Sequence, residues 1–109
     1  MGTAERELRA AQNQLLFREV NDRIKELSGK ALGPAAEVDF ACECDNPECH
    51  DAIPMSIAEF AAIEGAGKNR FIVSAGHEDD GVEDVIEKRE ECLIVAKRGA
   101  GAEFVEQRG

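Results

Sequence analysis

Three cysteines within eight residues constrain this chain more than any other feature. The stretch is Cys42-Glu43-Cys44-Asp45-Asn46-Pro47-Glu48-Cys49, spaced C-x-C-x4-C, with His50 directly after it. On a strand, residues i and i+2 face the same way. Cys42 and Cys44 can therefore aim at one point as the chain leaves the apolar run Val38-Asp39-Phe40-Ala41. Asp45–Glu48 reads as a turn, because Asn and Asp bond their own backbone and proline fixes its φ. The turn returns Cys49 to the same point. A disulfide within C-x-C would be strained, since both side chains face one way. Three convergent thiols without disulfide geometry are metal ligands. Zinc, with four ligands in a tetrahedron, is the expected occupant: one ion, structural in role.

The cluster supplies Cys42, Cys44 and Cys49, so a fourth ligand must come from elsewhere. The candidates are His50, His77 and Cys92, with water as the remaining alternative. His50 neighbours Cys49, and adjacent residues of an extended chain face opposite ways. Cys92 opens Cys92-Leu93-Ile94-Val95-Ala96, which reads as a buried strand, and free cysteine is commonly just a small buried hydrophobe. His77 follows the apolar run Phe71-Ile72-Val73 in a turn, Ser74-Ala75-Gly76-His77-Glu78. A glycine before the histidine lets the backbone approach an ion closely. His77 is the expected fourth ligand, and Glu78 is placed to orient it.

Two resemblances attach to these residues. Cys42, Cys44 and Cys49, followed by the apolar Ile53, resemble the post-SET zinc motif of lysine methyltransferases, where three clustered cysteines share zinc with a remote ligand. That match covers about a dozen residues, and the chain has no room for a SET domain. The chain as a whole resembles a group of small uncharacterised bacterial proteins. Those carry an N-terminal helix like Asn13–Ile24, then Cys-Glu-Cys, then Gly-His-Glu, here Gly76-His77-Glu78. This resemblance implies His77 as the fourth ligand and no ligand role for Cys92, whose position is aromatic in relatives. It implies no activity.

Charge narrows the function. The net charge is −10, and residues 31–67 hold eight acids and no Lys or Arg. Nucleic-acid binding depends on basic side chains that neutralise phosphates, so a zinc finger reading DNA is not expected. An acidic surface suits solubility or a basic protein partner. No apolar run approaches the ~20 residues of a membrane span. The N-terminus is charged rather than signal-like. Unpaired cysteines then point to a reducing, cytoplasmic setting.

One α+β domain of 109 residues is expected,. Residues 4–28 read as a helix, with Thr3 as N-cap and Gly29 as its C-terminal stop before Pro34. Phe17, Val20, Ile24 and Leu27 form a 3-4-3 stripe that should pack on the protein's own sheet. Leu8, Leu15 and Leu16 widen the apolar surface towards self-association. Residues 37–109 should form the zinc-binding core. It begins with a strand Val38–Cys42 and a return Ala52–Met55, marked as an edge by Pro54. Ser56-Ile57-Ala58-Glu59 is a capping box opening a helix to about Glu64, burying Ile57, Phe60 and Ala61. A strand Arg70–Ser74 follows. Val85–Lys88 and Leu93–Lys97 form a hairpin, the second strand central. Gly99-Ala100-Gly101 should break the chain before a short helix 102–107. The expected fold is a long N-terminal helix and a short internal helix on a small, mainly antiparallel sheet. The alternative is a zinc-ribbon core with the first helix projecting away.

Gly65-Ala66-Gly67-Lys68 is not a phosphate loop, because Asn69 stands where Ser or Thr is required,. Glu78-Asp79-Asp80-Gly81 lacks the calcium-loop pattern and reads as a solvated turn. Cytidine-deaminase chemistry needs His-x-Glu and Pro-Cys-x-x-Cys, and neither spacing is present. No nucleophile–base pairing is arguable, since the thiols are better explained as ligands. The expectation is a non-enzymatic, zinc-stapled module that works by binding protein, including a copy of itself. A thiol-based, zinc-releasing redox switch is the alternative, and a zinc enzyme with an open coordination position ranks behind both.

Overall fold

The computed structural model describes residues 3–108, and only the backbone of Thr3 and Arg108. Helix α1 (Thr3–Leu32) is followed by strands β1 (Glu37–Ala41) and β2 (Ala52–Ser56) and by helix α2 (Ile57–Ala66). Strands β3 (Arg70–Val73), β4 (Glu83–Lys88) and β5 (Leu93–Lys97) and helix α3 (Gly99–Arg108) complete the chain. The fold is α+β, as expected, but the sheet is divided. β1 and β2 form an antiparallel pair, and β3-β5-β4 form a separate antiparallel sheet with β5 in the centre. The zinc-ribbon alternative fails, because α1 lies along the core instead of projecting from it.

The two sheets meet at the cysteine loop. β1 and β2 pair from Glu37↔Ser56 to Ala41↔Ala52, and the Cys42 amide donates to the Asp51 carbonyl at 3.0 Å, extending the ladder by one step. The next amide, Glu43, donates to the Ile72 carbonyl of β3 at 2.7 Å. The chain thus hands over from one sheet to the other at Cys42–Glu43. Beneath this junction Phe40 and Phe60 stack at 4.4 Å between centroids. The capping box of α2 forms as expected, with Ser56 Oγ accepting from the Glu59 amide and Glu59 accepting from the Ser56 amide. The buried residues of α2 are Ile57, Phe60 and Ile63. Ala61 is exposed, because the inward line runs every third residue from Ile57.

Helix α1 differs most from its sequence reading. It runs through Gly29 and stops at Gly33, which takes φ +87° and whose amide donates to the Gly29 carbonyl at 3.0 Å. Of two glycines near the end, only the one immediately before Pro34 ends the helix. N-capping by the Thr3 side chain lies outside the described residues. The face that α1 buries is not the expected stripe. Val20 and Leu27 are 50% and 58% exposed, and Ile24 packs only partly on the core. The buried line is Ala10, Ala11, Gln14, Arg18 and Asn21. Polar residues face inward here because buried polar groups wait for them, as shown below.

Helix α3 begins earlier than expected, and its glycines do not break it. Gly99, Ala100 and Gly101 are its first turn. A Cβ at Gly101 would stand 2.9 Å from the Glu7 carbonyl oxygen, so glycine here permits close packing against α1. The Glu7 carboxylate accepts from the Ala100 amide at 3.2 Å, where the positive end of the α3 dipole favours an anion. In β4 the register slips between Val85 and Glu87, which leaves Ile86 exposed. No helix among the described residues is long and apolar enough to cross a membrane.

Candidate metal centre

Cys42, Cys44, Cys49 and His77 come together at the sheet junction, their ligand atoms all within 4.8 Å of one another. Local structure brings each one there. Cys42 and Cys44 flank Glu43 and point to one side, as the period-two rule requires. The turn closes with the Cys49 amide donating to the Asn46 carbonyl at 3.1 Å and the Glu48 amide to Asn46 Oδ1 at 3.0 Å. After β3, Gly76 adopts φ +91° and the His77 amide donates to the Ser74 carbonyl at 2.9 Å. That tight turn swings the imidazole onto the thiols.

The spacing fits a tetrahedral ion. Ligand atoms around zinc, with sulfur at ~2.3 Å and nitrogen at ~2.1 Å, stand roughly 3.5–3.8 Å apart. His77 Nδ1 lies 3.6 Å from Cys42 Sγ and 3.5 Å from Cys49 Sγ. The other ring nitrogen, Nε2, lies 3.2 Å from Asp51 Oδ2. An anionic oxygen at this distance favours the tautomer protonated on Nε2, which leaves the Nδ1 lone pair to the thiols. Asp51, not Glu78, plays this part; Glu78 accepts from the Gly76 amide at 2.8 Å and steadies the turn. The Ser74 amide donates to Cys42 Sγ at 3.2 Å, an interaction that favours a thiolate.

The other two candidates stand apart. His50 is exposed. Cys92 is 2% exposed and belongs to the core cluster, not to the ligand group. Burial pushes the thiol of Cys92 up from its ordinary range, raises that of Cys42, and takes that of Cys44 to about 12. The buried thiols of Cys42 and Cys44 would ionise more readily beside a cation, which a coordinating metal would supply,. Among the described residues this is the one group of three or more His, Cys, Asp or Glu side chains arranged to hold an ion.

The structure adds a residue that the sequence reading passed over. Glu43 lies between the two thiols in sequence and on the opposite side in space, fully buried. Its carboxylate accepts from Arg18 Nε at 2.7 Å, Arg18 Nη2 at 2.9 Å, Asn21 Nδ2 at 3.0 Å and the Ile72 amide at 3.0 Å. Its carbonyl accepts from Gln14 Nε2 at 2.9 Å. Asn21 also bridges the Ala41 backbone, donating to its carbonyl at 2.9 Å and accepting from its amide at 2.7 Å. Arg18 donates to the Arg70 carbonyl as well, and its guanidinium sits 4.5 Å from the Phe71 ring centroid. This is why α1 buries polar side chains: an uncompensated carboxylate and unpaired amides at the junction would cost several kcal/mol. The sequence signal was present. Gln14, Arg18 and Asn21 stand at i, i+4 and i+7, one face of a helix.

Gln14 continues the network to a second buried pair. Its Nε2 also donates to Glu83 Oε1 at 3.0 Å, and Lys97 Nζ lies 3.5 Å from the same oxygen. Burial lowers the pKa of Lys97. In the acidic turn, Asp79 Oδ1 accepts from Arg6 at 2.7 Å and from the Gly81 amide at 3.0 Å, so this oxygen serves the fold.

Compared with known proteins, the chain matches no family model, no curated protein and no solved structure, so both resemblances drawn from the sequence rest on the residues quoted for them.

Proposed function

We propose that this is a small zinc-binding protein whose Cys42, Cys44, Cys49 and His77 hold one structural ion, and that it acts as a protein-interaction or regulatory module. The observation that carries the zinc reading is the imidazole. One nitrogen stands at tetrahedral edge distance from two thiols, while the other lies 3.2 Å from a carboxylate oxygen of Asp51. Four protein ligands leave no open position for substrate, and three thiolates make zinc a weak Lewis acid, so the reading is not enzymatic. Free, metal-bound thiols suit a reducing compartment such as the cytoplasm. Elemental analysis of purified protein tests it. One zinc per chain is expected in wild type and His50→Ala, with zinc lost or greatly weakened in His77→Ala. Wild type without zinc, or His77→Ala with undiminished zinc, would overturn the ligand set.

A redox-responsive site is the second reading, favoured by one observation. Cys49 is partly exposed while Cys42 and Cys44 are buried, so an oxidant meets one thiolate first. Mild peroxide would then release zinc and loosen residues 40–55. Retention of zinc under peroxide removes this reading.

A further inference from the structure

The outward face of α1 is apolar where a solvated helix is ordinarily polar. Leu16, Val20 and Leu27 stand at i, i+4 and i+11, one line along the helix. They are 60%, 50% and 58% exposed. The buried line of Gln14, Arg18 and Asn21 lies on the other side, so the apolar line is left uncovered. Its flanks differ. On one side Glu19, Arg23, Glu26 and Lys30 run at helical spacing, all exposed and alternating in sign. On the other side Asn13, Phe17 and Ile24 carry no charge.

We propose that this face pairs with the same face of a second copy of the chain, antiparallel, about a two-fold axis near Asn21. In an antiparallel pair each flank meets its own copy. Glu19 and Arg23 lie at equal distances on either side of residue 21, so each meets its opposite charge on the other copy. A parallel pair would set the charged flank against the uncharged one and gain nothing. The charge of the whole molecule selects the same surface. A chain of net charge −10 repels its copy, but residues 1–30 hold five acids and six bases and are the one near-neutral stretch. The overlap is roughly 27 Å long for 18 residues of helix. Its area falls at the low end of specific interfaces, about 1,200 Å² in total. Pairing is expected to be reversible and concentration-dependent.

This inference rests on the interaction half of the proposed function and names the partner; it does not depend on the metal. The test is sedimentation equilibrium of the full chain from micromolar to submillimolar concentration, with bound zinc measured on the same samples. Wild type should pass from monomer to dimer. Leu16→Glu with Leu27→Glu should stay monomeric, with helix content and zinc unchanged. Glu19→Arg alone should weaken pairing about tenfold, which is ~1.4 kcal/mol, and adding Arg23→Glu should restore it. A wild-type monomer throughout, with full zinc, would overturn the pairing and leave the metal reading standing. A dimer indifferent to the two leucine changes would place the interface elsewhere. A dimer that the charge swap fails to restore would contradict the antiparallel arrangement.

Discussion

Two regions of this molecule share three consecutive residues and are satisfied in different ways. Cys42 and Cys44 face a corner where four soft ligands converge. Glu43, between them, faces a pocket in which Arg18, Asn21 and the Ile72 amide saturate its carboxylate. The Glu43 side is complete with protein atoms alone. The thiol side could hold a metal ion, and burial alone raises the Cys42 and Cys44 thiols. Alternation along an extended chain thus lets one tripeptide join a metal corner to a helix-docking network. The Glu43 side fixes where the thiols point, and the proposed ion would close what the Glu43 side has arranged.

Removing the ion should have the largest effect. A closed zinc site contributes on the order of 10 kcal/mol in apparent folding free energy. Chelation followed by hydrogen exchange should show protection lost first in residues 42–51 and 74–78. The Ala41 and Ile72 amides, held by Asn21 and Glu43, should persist longest. Simultaneous loss everywhere would show that the two sides are not separable.

Breaking the other side should cost less but still heavily. Glu43→Ala removes the bidentate partner of the buried Arg18 guanidinium and leaves it Glu64, at 3.6 Å, as its ion-pair partner, at a cost of up to about 3–5 kcal/mol by the usual measure for broken buried pairs. Glu43→Leu combined with Arg18→Met should recover much of that loss, because no charge is then stranded. Urea titration of the single and double variants checks both. A double variant as unstable as the sum of its singles would mean that Arg18 and Glu43 are not coupled.

Asp51→Asn tests the histidine's support more gently. Loss of a carboxylate behind a ligating imidazole lowers metal affinity about 10–100-fold, while global stability of the zinc-loaded chain should hold. A competition titration with a chromophoric chelator reads the change. Equal affinity in wild type and variant would mean that Asp51 does not orient His77.

The smallest effect is a pH dependence away from the metal. Burial, together with the neighbouring Glu64 carboxylate, pushes Asp22 up to about 7 from 3.8, against the pull of Lys25 and Arg18. A raised carboxyl contributes stability that is present below its unfolded value and lost as pH rises through its folded value. Wild type should therefore lose stability from this group between about pH 4 and pH 7. Asp22→Asn should flatten that slope and be more stable at pH 8, by on the order of 1 kcal/mol once screening of the half-exposed side chain is allowed for. An unchanged slope would show that Asp22 and Glu64 do not share a proton.

The metal corner was legible because its signal is local. C-x-C sets two thiols on one side, Asn46-Pro47 turns the chain, and Gly76 marks the backbone that needs φ above zero. The capping box at Ser56–Glu59 and the central place of β5 were legible for the same reason. What escaped was the docking of α1. A hydrophobic stripe is ordinarily the buried face, so Phe17, Val20, Ile24 and Leu27 were the expected inward residues. The polar junction at Glu43 inverted that rule, since a buried carboxylate demands donors more strongly than Val20 and Leu27 demand burial. The split of the sheet escaped too, because the hand-over at Cys42–Glu43 depends on pairing with Ile72, almost thirty residues away. Asp51 escaped as well, because Glu78 is the acid adjacent to His77 in sequence, whereas the β1–β2 pairing brings Asp51 to within 3.2 Å of the imidazole.

The most direct test of the account is zinc-edge X-ray absorption on the zinc-loaded protein. The account predicts three sulfur neighbours at ~2.3 Å and one imidazole nitrogen at ~2.0 Å, with the nitrogen absent in His77→Ala. Four sulfur neighbours, which would bring in Cys92, or an oxygen neighbour in the wild-type spectrum, would contradict the closed site built from Cys42, Cys44, Cys49 and His77.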